Sequence, residues 1–138
     1  MASIRHEVPV AVSADDAWAA VREVGRAHTL FAPVLVDGQL EGNLRTVTFA
    51  NGMVAHERIL DVDDTHRRVG YSVLDVPGVD YHHASMEIVP DGDGRCRFVW
   101  ITDLWPDGPK AAIQPLVEQG SAALKANLEK RIVGAAGG

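Results

Sequence analysis

Several polar side chains stand where an alternating strand or a helical stripe places them among apolar neighbours. With a period of two, Ala55, Glu57 and Ile59 share one strand face while His56 and Arg58 take the other. A polar group on an apolar face costs free energy unless it is paired or meets a ligand. A carboxylate so placed can donate or accept a proton. The competing reading is a glutamate turned to solvent or paired with an arginine. On the segment around His82-His83, Ala84, Met86 and Ile88 form the apolar face, which puts His82 inside and His83, Ser85 and Glu87 outside. A single bulge would exchange the two histidines. A metal site needs several converging ligands, and Asp80 with His82 supplies too few, so a polar residue at a cavity mouth is the favoured reading. Trp100 and Thr102 share a face with Phe98 and Cys96, giving an aromatic wall with one hydroxyl. Tyr71 faces in with Val69 and Val73, and its hydroxyl needs a partner if buried. Asn127 interrupts an apolar helical stripe, where an amide either meets a ligand or caps a neighbouring backbone group.

No linear motif accompanies these residues. There is no glycine-rich phosphate loop and no nucleophile elbow. His28 and the serines form no recognisable triad, and His6 and His66 read as surface residues. No cofactor and no metal are expected. Cys96, the lone cysteine, lies in a strand pattern and reads as a small buried hydrophobe.

The elements that must position these side chains follow from periodicity and turn residues. Residues 4–12 begin with a strand. Ser13 is an N-cap signal, with Asp15 and Asp16 in the first turn favouring the helix dipole. A short helix is expected over 14–24 and a second over 26–31, stopped by Pro33. Strands follow at 35–41, 44–50, 53–61, 68–74, 81–89 and 95–105, with Asn51-Gly52 as a strong hairpin signal. The loop 75–80 is expected to overhang a cavity entrance, as a lid or a simple connector. A long helix runs from Asp107 to Ile132, with Pro109 in its first turn, a possible kink at Pro115, and Gly120 and Asn127 on its apolar stripe. Residues 134–138 read as a flexible tail. Strands in series with short turns imply an antiparallel meander. Only the last helix is long enough to cover one face of it.

The chain has 138 residues, 46% of them hydrophobic, and a formal net charge of -6. That length suits one domain, residues 1–138. The negative charge argues against a nucleic-acid surface. No apolar run is long enough for membrane insertion, and the N-terminus has no signal core. One cysteine and no leader suggest a cytoplasmic protein. Heavy use of Ala, Val, Asp, Gly and Arg suggests a GC-rich bacterial genome.

The element order resembles the SRPBCC superfamily, also called START-like or the birch-pollen-allergen fold. Its closest flavour is the bacterial polyketide cyclase/dehydrase-like proteins. The segments that carry the resemblance are Ser13-Ala14-Asp15-Asp16-Ala17-Trp18, Glu57-Arg58-Ile59-Leu60-Asp61-Val62-Asp63-Asp64, Arg67-Arg68-Val69-Gly70-Tyr71-Ser72-Val73 and Trp100-Ile101-Thr102-Asp103. The resemblance implies an α+β helix-grip fold. A curved seven-stranded antiparallel sheet would wrap around the long C-terminal helix, with two short helices after the first strand. More distantly the chain is similar to plant abscisic-acid receptors. That likeness implies a cavity carboxylate at Glu57, wall residues at Tyr71 and Val73, and a ligand-facing amide at Asn127. Those receptors anchor an acid with an early lysine. Here the first lysine is Lys110, so abscisic-acid binding is not expected.

Three functions follow as expectations. The first is a domain that binds a small hydrophobic ligand, of lipid, polyketide or aromatic type, between sheet and helix. Its binding residues would be Glu57, Tyr71, Val73, His82, Met86, Phe98, Trp100, Thr102 and Asn127. The second is a cofactor-independent cyclase or dehydratase using Glu57 or His82 as general acid or base, with Tyr71 or Asn127 stabilising an enolate. The third is a ligand-gated regulatory or interaction domain. Monomer and homodimer are both open. Few charges are expected inside, which favours a neutral or mono-acidic ligand over a phosphate or nucleotide.

Overall fold

The computed structural model describes residues 1–137, with side chains described to Arg131. The expected end of the last helix at Ile132 and the expected tail 134–138 therefore lie outside the residues described in full. The elements are β1 (Ala2–Val10), α1 (Ala14–Val21), α2 (Ala27–Leu30), β2 (Leu35–Glu41), β3 (Leu44–Phe49), β4 (Val54–Asp63), β5 (Arg68–Leu74), β6 (Tyr81–Pro90), β7 (Cys96–Trp105) and α3 (Lys110–Gly137).

The strands form one sheet in the order β1-β7-β6-β5-β4-β3-β2, every neighbour antiparallel. Strands β2 to β7 are a meander, and β1 closes on the last strand. Register shifts between Leu35 and Asp37 in β2 and between Ile59 and Asp61 in β4 bend the sheet. The concave face then wraps the long helix. This is the helix-grip architecture.

Two elements differ from the sequence reading. The helix expected over 14–24 ends at Val21, and a short 3-10 turn at Val24–Arg26 leads into α2. The last helix starts at Lys110 because Pro109 precedes its first turn: the carbonyl of Asp107 accepts from the Lys110 amide at 3.0 Å and that of Pro109 from the Ile113 amide at 3.1 Å.

Ser13 caps α1 by accepting from the Asp16 amide at 3.1 Å. The buried Trp18 donates its indole N–H to Asp64 at 2.9 Å, and Arg22 joins the same carboxylate at 2.9 Å. One face of α1 is thereby fastened to the β4–β5 turn.

Helix α3 does two things along its length. Leu124 and Leu128 are buried in the main core with Val10, Val12, Trp18, Leu30 and Ile88. Val117 packs with Ala2, Ile4 and Leu104 on β1 and β7. Lys125 donates to the Pro9 carbonyl at 2.7 Å, and Glu129 accepts from the Ala11 amide at 2.9 Å, latching the end of β1 to the helix. On another side, Ala112, Ile113, Leu116, Val117 and Gly120 border open space above β3 to β7. Residues that fill a core at one end of the helix roof a cavity at the other.

Candidate functional site

The cavity holds about 490 Å³. Its walls are mostly apolar: Phe31 from the end of α2, Val47 and Phe49 from β3, Met86 from β6, and Ile113 and Val117 from α3. Small-molecule sites are built this way, with a few placed polar groups.

Those polar groups gather on β3 to β7. The alternation of β3 puts Arg45 on the same face as Val47, and the hairpin sets Arg45 directly opposite Glu57. The Arg45 guanidinium donates from Nε to Glu57 Oε1 at 2.8 Å. The two side chains are only 8% and 11% exposed, so this is a buried ion pair. Arg45 also donates from Nη1 to the Val24 carbonyl at 3.1 Å. Its guanidinium carbon lies 5.4 Å from the centre of the Tyr71 ring, a cation–π contact. Glu57 therefore faces inward and is also paired with an arginine, which joins the two readings that the sequence set against each other.

Tyr71 is buried, and its hydroxyl oxygen accepts from the Trp100 indole N–H at 3.2 Å. Burial raises the phenol well above its ordinary value of 10, and the Glu57 charge adds to the shift against the opposing pull of Arg45. The hydroxyl stays protonated and can donate. Trp100 is held by Phe98 at 5.9 Å and Phe31 at 5.6 Å. Helix α3 comes close to it only because residue 120 is glycine: a Cβ there would lie 2.9 Å from Trp100 Cζ3.

His82 sits where β5 and β6 part. Their pairing runs from Arg68 opposite Glu87 to Tyr71 opposite Ala84 and stops. Beyond it, side chains replace the ladder. Ser72 Oγ donates to the His82 carbonyl at 2.6 Å, and the Val73 amide donates to His82 Nδ1 at 3.1 Å. Burial, and then the neighbouring His83, push the His82 pKa down to about 4. The ring is neutral near pH 7.

Of the residues singled out from the sequence, Glu57, Tyr71, Val73, His82, Met86, Trp100 and Thr102 line this cavity. Phe98 does not. It is completely buried behind the wall and supports Trp100 from the far side. Asn127 does not either. Its amide donates to the carbonyls of Leu30 and Ala32, both at 2.8 Å, so it caps the chain leaving α2. It borders a separate hollow with Lys130 and Arg131. Sequence reasoning missed Arg45, although its alternation with Val47 and Phe49 was a readable signal. The cavity's cation is therefore an arginine on β3; Lys110 is not among the lining residues.

The loop after β5 borders the same space through Asp75, Val76, Pro77 and Val79. Asp75 adopts a left-handed backbone with φ of 56° and Gly78 one of 79°, and the Asp80 amide ties the loop's base to the Trp105 carbonyl at 2.7 Å. Among the described residues, no three His, Cys, Asp or Glu side chains gather as a metal site would need. Among them also, no helix is long and apolar enough to cross a membrane.

The model of the family described as "Polyketide cyclase / dehydrase and lipid transport" matches residues 1–131. The chain belongs to this family. A family relative is the S-norcoclaurine synthase of Thalictrum flavum subsp. glaucum, 30% identical over 150 residues that span 94% of this chain and 70% of that protein. Norcoclaurine synthase from Thalictrum flavum has been solved in complex with dopamine and hydroxybenzaldehyde. It superposes with a TM-score of 0.71 at 25% identity, over 96% of this chain and 86% of that one. An uncharacterised protein from Bacillus thuringiensis gives a TM-score of 0.82 at 15% identity, over 92% and 98% of the two chains, and shares the fold.

Proposed function

We propose that this family member binds one small, largely apolar molecule in the cavity between the sheet and α3. The observation that carries the reading is the cavity itself: about 490 Å³ with apolar walls and a compact polar end at Arg45, Glu57, Tyr71 and His82. Apolar walls around a space of that size offer extensive dispersion contacts to a ligand. The polar end would orient the ligand, and the apolar walls would supply most of the affinity. A planar aromatic molecule suits walls formed by Phe31, Phe49 and Trp100. The related synthase, solved with two aromatic molecules, supports that class.

The test is a thermal-shift screen with aromatic polyketides, flavonoids, hydrophobic acids and sterols. A ligand that binds only the folded state raises Tm as its concentration exceeds Kd. Filling the space with Val73→Trp should abolish the shift while the circular dichroism spectrum stays native. A shift that survives in a folded Val73→Trp protein places binding elsewhere and rejects the reading.

A catalytic reading is favoured by one pairing, a neutral phenol at Tyr71 beside a buried carboxylate at Glu57. Tyr71 would hydrogen-bond a developing enolate while the free oxygen of Glu57 takes a proton from the carbon beside a carbonyl. His82 suits the role of base poorly, because its Nδ1 lone pair is already engaged by the Val73 amide. Deuterium uptake into the methyl group of naphthyl methyl ketone tests this. The reading requires exchange faster than in buffer, lost in Glu57→Gln; exchange equal to buffer rejects it.

A further inference from the structure

The polar end of the cavity holds two donors that have no acceptor among the described residues. The Tyr71 oxygen already accepts from Trp100. Its own O–H has no acceptor among the described residues. A backbone N–H can only donate, so the Val73 amide fixes His82 Nδ1 as an acceptor and leaves the proton of the neutral ring on Nε2. Nothing among the described residues accepts from Nε2. Glu57 Oε1 accepts from Arg45, and the carboxylate takes no hydrogen bond from Tyr71 or His82. The Tyr71 and His82 rings lie 6.0 Å apart between centres, inclined at 43°. Both line the cavity. An sp² oxygen carries two lone pairs and can accept from two donors at once.

We propose that the Tyr71 hydroxyl and the His82 Nε2–H form a two-donor clamp for a single ligand oxygen, so that the cavity selects apolar molecules ending in a carbonyl or enolate oxygen. This rests on the binding reading above and deepens it. A hydrocarbon of the same shape would leave both donors unmade, and a buried unmade donor costs more than the bond itself contributes. The ligand class is therefore an aryl ketone, aldehyde or quinone, or a polyketide carbonyl, oriented with its oxygen toward β5 and β6.

The discriminating variants follow from the geometry of histidine. Asparagine at residue 82 reproduces an acceptor near Nδ1 for the Val73 amide and lacks the Nε2 donor. Glutamine there reaches far enough to supply the donor. The probes are naphthyl methyl ketone and ethylnaphthalene, nearly equal in shape, titrated calorimetrically into the full chain. The wild type should favour the ketone about tenfold. Tyr71→Phe and His82→Asn should each cut that preference about threefold. His82→Gln should keep most of it. Tyr71→Phe also strips Trp100 of its acceptor, but both probes feel that loss equally and the preference ratio does not. Nitrogen NMR of ligand-free protein should find the His82 proton on Nε2. A proton on Nδ1, or an unchanged ketone preference in both Tyr71→Phe and His82→Asn, overturns the clamp. Equal binding of both probes by the wild type overturns the clamp alone. Failure of both probes to bind, with no other hit in the thermal-shift screen, overturns the binding reading and the clamp with it.

Discussion

The Val73 amide donates to Nδ1 of His82 at 3.1 Å, so a side chain completes a ladder that the two backbones no longer form. The strands part there, and both residues line the cavity. The contact ties the local architecture to the protonation state of a cavity-lining ring.

Acid should weaken the fold before the carboxylates titrate. The folded protein holds His82 near pKa 4, against an ordinary 6.5. Between those values the unfolded chain binds a proton that the native ring refuses. Stability therefore falls as pH drops from about 6.5 to about 4 and gains no further slope from this group below that. The full difference is worth roughly 3 kcal/mol, and the ring's partial exposure reduces it. Urea unfolding at a series of pH values checks this: the slope in that window should be lost in His82→Asn.

Removing one member of the buried ion pair should be costly. Arg45→Ala leaves the Glu57 charge facing an apolar cavity, and Glu57→Ala strands the guanidinium. Each should destabilise by roughly 3 to 5 kcal/mol in urea unfolding. Replacing both together, as Arg45→Met with Glu57→Leu, should cost less than either single change, because no unpaired charge remains.

Gly120→Ala should reach the cavity through Trp100. Alanine gains about 1 kcal/mol of helix propensity over glycine. Its Cβ would stand 2.9 Å from Trp100 Cζ3, on a ring already held by Phe31, Phe98 and Tyr71. Overpacking of that kind costs about 1 to 3 kcal/mol. The net expectation is a loss of about 1 kcal/mol with altered tryptophan fluorescence. An increase in stability with an unchanged spectrum would show that the ring moves freely.

Asn127→Ala should affect stability and leave ligand affinity alone. It deletes two donors to the carbonyls of Leu30 and Ala32, for roughly 1 to 3 kcal/mol. A variant with wild-type stability and weakened binding would return Asn127 to the ligand.

Much of the architecture was legible because its signals are local. Ser13 capped its helix, Asn51-Gly52 made its hairpin, and alternation assigned the inward faces of β4 to β7. The site was legible as far as a face can be read. What periodicity does not carry is depth: Phe98 and Trp100 share a face, yet one is behind the wall and the other on it. Asn127 lies on the apolar stripe of α3, but the stripe changes from cavity roof to core along its length. Arg45 was within reach. Its alternation with Val47 and Phe49 put it on the inward face, but its partner was not readable: a two-residue turn at Asn51-Gly52 would set Arg45 opposite Arg58, whereas the observed turn also takes in Ala50 and sets it opposite Glu57. The tautomer of His82 was not within reach, because it depends on where two strands stop pairing.

The most direct test of the cavity as a binding site is a residue-resolved NMR titration of the full chain with naphthyl methyl ketone. Saturable shifts are expected in the cavity lining, at Val73, His82, Trp100, Ile113 and Gly120, with none in the separate hollow at Lys130 and Arg131. Shifts centred on that hollow, or absent from the lining at saturating ligand, would contradict it.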